Sequence, residues 1–325
     1  MPQSSLKGRG RYMKGLEIAR EYFMKEALPV LERDHGELLP FIAAGLVGAG
    51  SECMGYDDEI SRDHDFEPGF CLFIPGEETV TRRDAFLLER AYAKLPKEFM
   101  GIRRSLMGPV GGNRRGVIRI NEFLKEKCGR EDGELSMLDW FTVPEFDLLE
   151  MTNGEIFMDN YGLITEVRNR LSYYPRDIML KKLAGQILLM AQSGQYNFAR
   201  CVKHGETGAA QMAAFEFVKA SVSVIHILNR RYQPYYKWAF RSLRELEKMA
   251  DAERVLEDII TSGNGPDRAE DKYYAMEDIC TRVIDLLIEQ DLTSANCGDL
   301  EKHAYSVNDR IEDSELRNSN ILMGV

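Results

Sequence analysis

The sequence predicts an α+β fold: a small mixed-sheet domain over residues 1–165, followed by an α-helical bundle over residues 166–325. Three observations carry this. Short apolar runs broken by glycine recur in the first part, at residues 41–50, 70–74 and 117–120. Helical spacing dominates from Ile178 onward. The two patterns do not alternate regularly along the chain, which separates a mixed domain from a helical one.

The elements follow in order. Leu16, Ala19, Phe23 and Ala27 recur at spacings of three and four, so they predict a first helix that fades near Pro29 or within residues 32–36. PFIAAGLVGAGSE reads as a buried strand breaking into a tight glycine loop. A second apolar run covers 70–74, and 79–95 is expected to be helical with Phe86, Leu87 and Ala91 on one side. Residues 102–115 read as a loop, 117–120 as a strand and 122–127 as helical. The bundle is predicted from helical patterns at 179–192, 209–228, 238–249 and 274–289, with TSGNGPD as a connecting loop. Pro234 is expected to open the third of these.

Composition bounds the function. Lys plus Arg is 42 and Asp plus Glu is 53, a net charge of −11, with 44% apolar and 29% charged residues. This excludes a disordered polyelectrolyte and disfavours a general nucleic-acid surface, which needs a basic footprint. The apolar run at 41–50 is too short to span a membrane, and the first fifteen residues lack a signal peptide's apolar region. Six scattered cysteines read as reduced thiols. The expectation is a cytoplasmic protein without nucleic-acid or membrane partners.

One stretch carries chemistry: Gly48-Ala49-Gly50-Ser51, then Asp63-His64-Asp65. Glycines after a strand let the backbone approach a ligand and aim N–H groups at it, and Ser51 adds a hydroxyl. A helix starting there would add its positive dipole end. Asp63 and Asp65, two apart on an extended segment, face the same way and suit a hard divalent cation such as Mg²⁺. A phosphate cradle beside paired carboxylates equips a chain for transfer at phosphorus. Arg62 either counters phosphate charge or pairs with a neighbouring carboxylate. His64, alternating with the aspartates, points the other way. Asp57 and Asp58 read as a solvated acidic turn, and Glu52 as a capping or catalytic acid.

This arrangement, Gly50-Ser51 followed by Asp63 and Asp65, resembles the nucleotidyltransferase superfamily. The string GAGSECMGYDDEISRDHD, with RYQPYYKW at 231–238, looks like a bacterial branch of it. The plan of a small nucleotidyltransferase-like domain before a helical bundle is similar to kanamycin nucleotidyltransferase and to minimal nucleotidyltransferases. The resemblance implies that ATP or another nucleoside triphosphate sets its phosphates at Gly50 and Ser51. It further implies that Asp63 and Asp65 hold Mg²⁺, a hydroxyl of a small-molecule acceptor attacks, and pyrophosphate leaves. Active members carry a third carboxylate on a later strand. Here that strand bears Arg119, so Glu122 is the candidate catalytic acid, with Glu145, Asp147 and Glu150 as others.

The bundle offers further candidate nucleotide contacts: Arg200, and the aromatic-basic cluster holding Tyr235 and Lys237, which reads equally as helix packing. Arg103, Arg104, Arg114 and Arg115 form a local basic loop that binds phosphate or is simply solvated. Two rivals to the enzyme remain open, a non-catalytic nucleotide-binding protein and an antitoxin-like interaction module. A homodimer also stays open.

Overall fold

A computed structural model describes residues 13–58, 67–104 and 115–325. The chain is α+β and divides into two compact units: Met1–Glu134 with Glu150–Ser172, and Leu135–Leu149 with Tyr173–Val325. A single cut after residue 165 therefore does not describe the division. Residues 135–149 join the helical unit because Trp140, buried there, meets the Tyr174 ring at 5.9 Å.

The first unit is built on a mixed four-stranded sheet of β1 (Ala43–Leu46), β2 (Cys71–Ile74), β5 (Gly116–Arg119) and β6 (Glu155–Asp159), in the order β5-β2-β1-β6. β1 pairs antiparallel with β2 and β6, while β2 and β5 run parallel. A small hairpin, β3 (Glu98–Phe99) and β4 (Ile102–Arg103), occupies part of the stretch read as loop. Alternation decides the faces. Ile42, Ala44, Phe70, Leu72 and Ile74 join one core cluster with Tyr22, Phe23, Leu88 and Tyr92, while Phe73 stacks on Phe123 at 5.4 Å. Each large apolar side chain sealed this way contributes about 1.5–3 kcal/mol.

α1 (Gly15–Tyr22) continues through a π-helical turn, Phe23–Ala27, into α2 (Leu28–Asp34). The helix thus runs past Pro29, which sits at the start of α2 directly after the π-helical turn. α3 (Arg82–Lys94) starts on Thr81, whose Oγ1 accepts the Asp84 N–H. Its buried stripe is Leu88 and Tyr92; Phe86 and Leu87 are exposed, contrary to the expected face. Tyr92 fixes the rotation, because its hydroxyl donates to the Phe70 carbonyl at 2.9 Å and accepts the Phe70 N–H at 3.1 Å.

The remaining elements of this unit are α4 (Ile120–Cys128) and α7 (Leu163–Arg170); α6 (Glu145–Thr152) begins in the second unit and ends in the first. α5 (Met137–Thr142), α8 (Arg176–Met190), α9 (Ala199–Lys203) and α10 (Thr207–Leu228) belong to the second unit. So do α11 (Tyr236–Leu243), α12 (Ala252–Thr261), α13 (Pro266–Glu289), α14 (Leu300–Asn308) and α15 (Ser314–Asn318). α11 starts after Pro234, with Tyr235 as its cap, and ends at Leu243 rather than 249. α10 is buried on every side from Ala220 to Leu228 and lies at the centre of the unit. By length and composition it is the helix that passes for a membrane span, in place of the run at 41–50, yet 61% of its apolar window is buried inside the fold.

Buried cations tie the unit together. The Lys181 ammonium donates to Asn308 Oδ1 and the Ser319 carbonyl, both at 2.9 Å. Lys272 donates to Asn264 Oδ1 at 2.7 Å and the Ser262 carbonyl at 2.8 Å. Burial lowers both pKa values.

Candidate functional site

Gly48 and Gly50, just after β1, have φ of +103° and +122°, backbone that side chains rarely adopt. They fold the chain back from the strand end. The bend is clamped by Asn153, whose Nδ2 donates to the Gly48 carbonyl at 2.8 Å while its Oδ1 accepts the Gly48 N–H at 2.9 Å. The neighbouring Gly154 N–H donates to the Cys53 carbonyl at 2.9 Å. Among the described residues, a Cβ on Gly48 would meet no atom within 4 Å.

After Ser51 the chain makes a single turn, not a helix. The Ser51 carbonyl accepts the Met54 and Tyr56 N–H groups, and the Glu52 carbonyl accepts that of Gly55. The helix dipole expected at Ser51 is therefore missing from the bend, which leaves backbone N–H groups and the serine hydroxyl as its means of meeting an anion.

Glu52 is neither a cap nor solvated. Its carboxylate is ion-paired with Arg115, each side chain 12% exposed, and Arg115 also donates to the Glu67 carbonyl. Burial works against the Arg115 charge, but Glu52 and Glu67 outweigh it and hold its pKa above the usual range. The basic loop thus divides. Arg115 is internal, and Arg104 lies 4.4 Å from the Tyr92 ring centroid and donates to the Tyr92 carbonyl. Arg103 pairs with Glu98 at the surface, and Arg114 lies outside the described residues. Asp57 also departs from expectation: it is fully buried, and its Oδ2 accepts the Gly15 N–H at 2.9 Å, capping α1. Asp58 is exposed, as a solvated turn requires.

Arg62, Asp63, His64 and Asp65 lie outside the described residues. Among the described residues no three His, Cys, Asp or Glu side chains gather as a metal site. The carboxylates expected to hold the metal are Asp63 and Asp65.

Glu122 is exposed in the first turn of α4, directly after β5. Arg119 is committed to structure, donating to the Pro75 carbonyl at 2.7 Å and the Val80 carbonyl at 3.1 Å. Of the other acids, Glu150 is ion-paired with Lys127, and Glu145 and Asp147 belong to the second unit. Burial raises the Cys53 thiol well above its usual pKa and the Cys71 thiol to about 11, so neither is a nucleophile.

In the second unit, Tyr235 packs on Phe146 (ring centroids 5.9 Å apart) and Tyr236 (4.3 Å). Lys237 is exposed beside Trp238, its ammonium 5.0 Å from the ring. Arg200 stacks on Tyr196 at 4.8 Å. Tyr196 lines a hollow of about 660 Å³ with Gln195, Asp299 and Glu301, whereas Tyr235 lines a different groove. The structure therefore does not bring Arg200 and Tyr235 to one cavity. Sequence reasoning missed the Asn153 clamp and the environment of Glu145. The Gln233 N–H covers Glu145 from 88 residues away, a pairing no local pattern announces.

Comparison with known proteins adds one match. A family model described as a domain of unknown function (DUF4037) matches residues 140–239. No curated protein matches the chain.

Proposed function

We propose that this chain is a Mg²⁺-dependent nucleotidyltransferase that moves a nucleoside monophosphate from ATP or another nucleoside triphosphate to a hydroxyl of a small molecule, releasing pyrophosphate. The observation that carries the reading is the Arg115 link. It joins Glu52, next to the Gly50-Ser51 bend, to the carbonyl of Glu67, two residues beyond Asp65. The bend and Glu67 are thereby held at the same side chain. Gly50 and Ser51 would receive the triphosphate through backbone N–H groups and a hydroxyl, while the Gly48 N–H stays with Asn153. Asp63 and Asp65 would hold the Mg²⁺, which when bound supplies charge neutralisation at the reacting phosphoryl oxygens. Glu122 stands as the acid that would accept the acceptor's proton. The predicted setting is cytoplasmic.

Pyrophosphate release from ATP and Mg²⁺, against a pool of hydroxylated metabolites, tests the reading. Asp63→Asn or Asp65→Asn should abolish release without changing the fold; full activity in either variant refutes it. A second reading, a nucleotide-binding protein without catalysis, is favoured by Arg119, whose guanidinium is spent on carbonyls of residues 75 and 80 where a third acid is expected. Calorimetric binding of ATP without pyrophosphate release in any acceptor pool would select it.

A further inference from the structure

We propose that the groove of the second unit lined by Glu145, Phe146, Phe215, Tyr235 and Tyr236 binds a small organic cation, an ammonium carried on an apolar body. The groove holds about 510 Å³, within the range of small-molecule sites. Its walls are mainly apolar and aromatic, and the rings are not sealed against each other: Phe215 and Tyr235 are each 49% exposed, and Tyr236 is 74% exposed. Ring faces attract cations, and more so where water is thinned.

The charges select the sign. Three charged side chains line the groove: Glu145, Glu216 and Lys219. Lys219 and Glu216 face each other at 3.5 Å and offset one another, leaving Glu145 as the net charge. The groups facing Glu145 do not neutralise it. The Gln233 N–H donates to its Oε1 at 2.9 Å. From the segment before α8 the Tyr174 hydroxyl lies beside the carboxyl, whereas that of Tyr173 donates to the Ile227 carbonyl at 2.9 Å. Tyr232 adds a third ring. Lys182 is the nearest cation, but its ammonium lies over the rings of Tyr174 (5.2 Å) and Phe141 (5.5 Å). Arg230, farther out, covers Tyr173. An anion would meet Glu145 and Glu216, and a neutral apolar ligand would bury Glu145 further without bringing it a counter-charge. A cation satisfies it. Every lining residue except Val325 falls within the 140–239 family match, so the groove belongs to that segment.

Burial pushes the Glu145 carboxyl up to about 7, with the Gln233 N–H and Lys182 pulling the other way. A bound cation favours the ionised form, so binding near neutrality should expel a proton. The test is calorimetry of the full chain with benzyltrimethylammonium chloride, in two buffers of different ionisation enthalpy, with benzyl alcohol and benzoate as neutral and anionic counterparts. The expected result is saturable binding of the cation alone, about half a proton released at pH 7, and affinity at least about tenfold weaker at pH 5.5 than at pH 8.5. Glu145→Gln should lose about tenfold or more in affinity together with the proton release, whereas Tyr235→Leu should weaken binding and keep the release. No binding of the cation at millimolar concentration overturns the proposal. So does equal binding of benzyl alcohol, or binding with no proton released. If Glu145→Gln does not fold, the pH dependence of the unsubstituted chain decides. The inference does not rest on the nucleotidyltransferase reading, and a negative pyrophosphate assay leaves it standing.

Discussion

Arg115 and Glu52, 63 residues apart, close an ion pair almost out of water at the point where the glycine-serine bend leaves β1. Such a pair contributes little net stability when intact, but removing one partner strands the other. Arg115→Met leaves the Glu52 carboxylate buried beside Gly50, where a Cβ would already stand only 2.8 Å from its Oε2. The expected cost is about 2–4 kcal/mol, read from the urea transition of the first unit. Glu52→Gln combined with Arg115→Met should recover much of it, because no charge is then left unpaired. A double variant as unstable as the single one would mean that the Glu67 carbonyl contact, not the charge, is what matters.

Asn153 gives a second prediction. Its amide matches both backbone groups of Gly48. Asn153→Ala removes both bonds and should cost about 1–3 kcal/mol. Asn153→Asp keeps the acceptor for the Gly48 N–H but turns a carboxylate oxygen toward the Gly48 carbonyl, so it should be at least as damaging. If the bend receives phosphates, both variants should weaken ATP binding in calorimetry more than they lower stability. An unchanged ATP affinity in a folded Asn153→Ala would separate the bend from the nucleotide.

Local chemistry made much of this fold readable. The apolar run before Gly48 and the run at 70–74 report burial through their own residues, and so do α8, α10 and α13, while the half-buried strand at 117–120 is legible from its β-branched residues. β6 was missed because Glu155 and Asp159 give it polar ends, and its partner β1 lies more than a hundred residues away. The outward Phe86 and Leu87 misled for the same reason, since helical spacing identifies a stripe but not which stripe meets the sheet. In the candidate site, positive φ was foreseeable from the glycines. The roles of Glu52, Asp57 and Asn153 depend on partners contributed by distant segments.

Gly194 illustrates a close approach that no glycine count reveals. It lies in the π-helical stretch Ala191–Phe198 that extends α8, and a Cβ there would stand 2.3 Å from Cδ2 of the Phe217 ring on α10. Phe217 is fully buried, so the ring has nowhere to retreat. Gly194→Ala should destabilise the second unit by about 1–3 kcal/mol despite the helix propensity that alanine adds. Adding Phe217→Leu should relieve part of that cost, and equal stability of the single and double variants would contradict the packing argument.

Two buried groups give the second unit opposing pH dependences. His226 donates from Nδ1 to the Val222 carbonyl at 2.8 Å and accepts the Ser242 hydroxyl at Nε2, 2.9 Å away, a neutral imidazole satisfied on both sides. Burial lowers its pKa to about 4, so its stabilisation is present above the unfolded value of 6.5 and is lost as pH falls through about 4. Glu145 runs the other way. Burial raises it from 4.5 to about 7, so its favourable contribution holds below 4.5 and is lost as pH rises through about 7. Each shift corresponds to about 3 kcal/mol at most. Glu145→Gln should therefore gain stability over the parent chain at pH 8 and little at pH 4.5, leaving a unit that weakens only on acidification. His226→Gln should flatten that acid limb and lose stability at pH 8. Denaturation midpoints across pH 4–9 check both signs, and a Glu145→Gln variant less stable than the parent at pH 8 would contradict the burial of an ionised carboxylate.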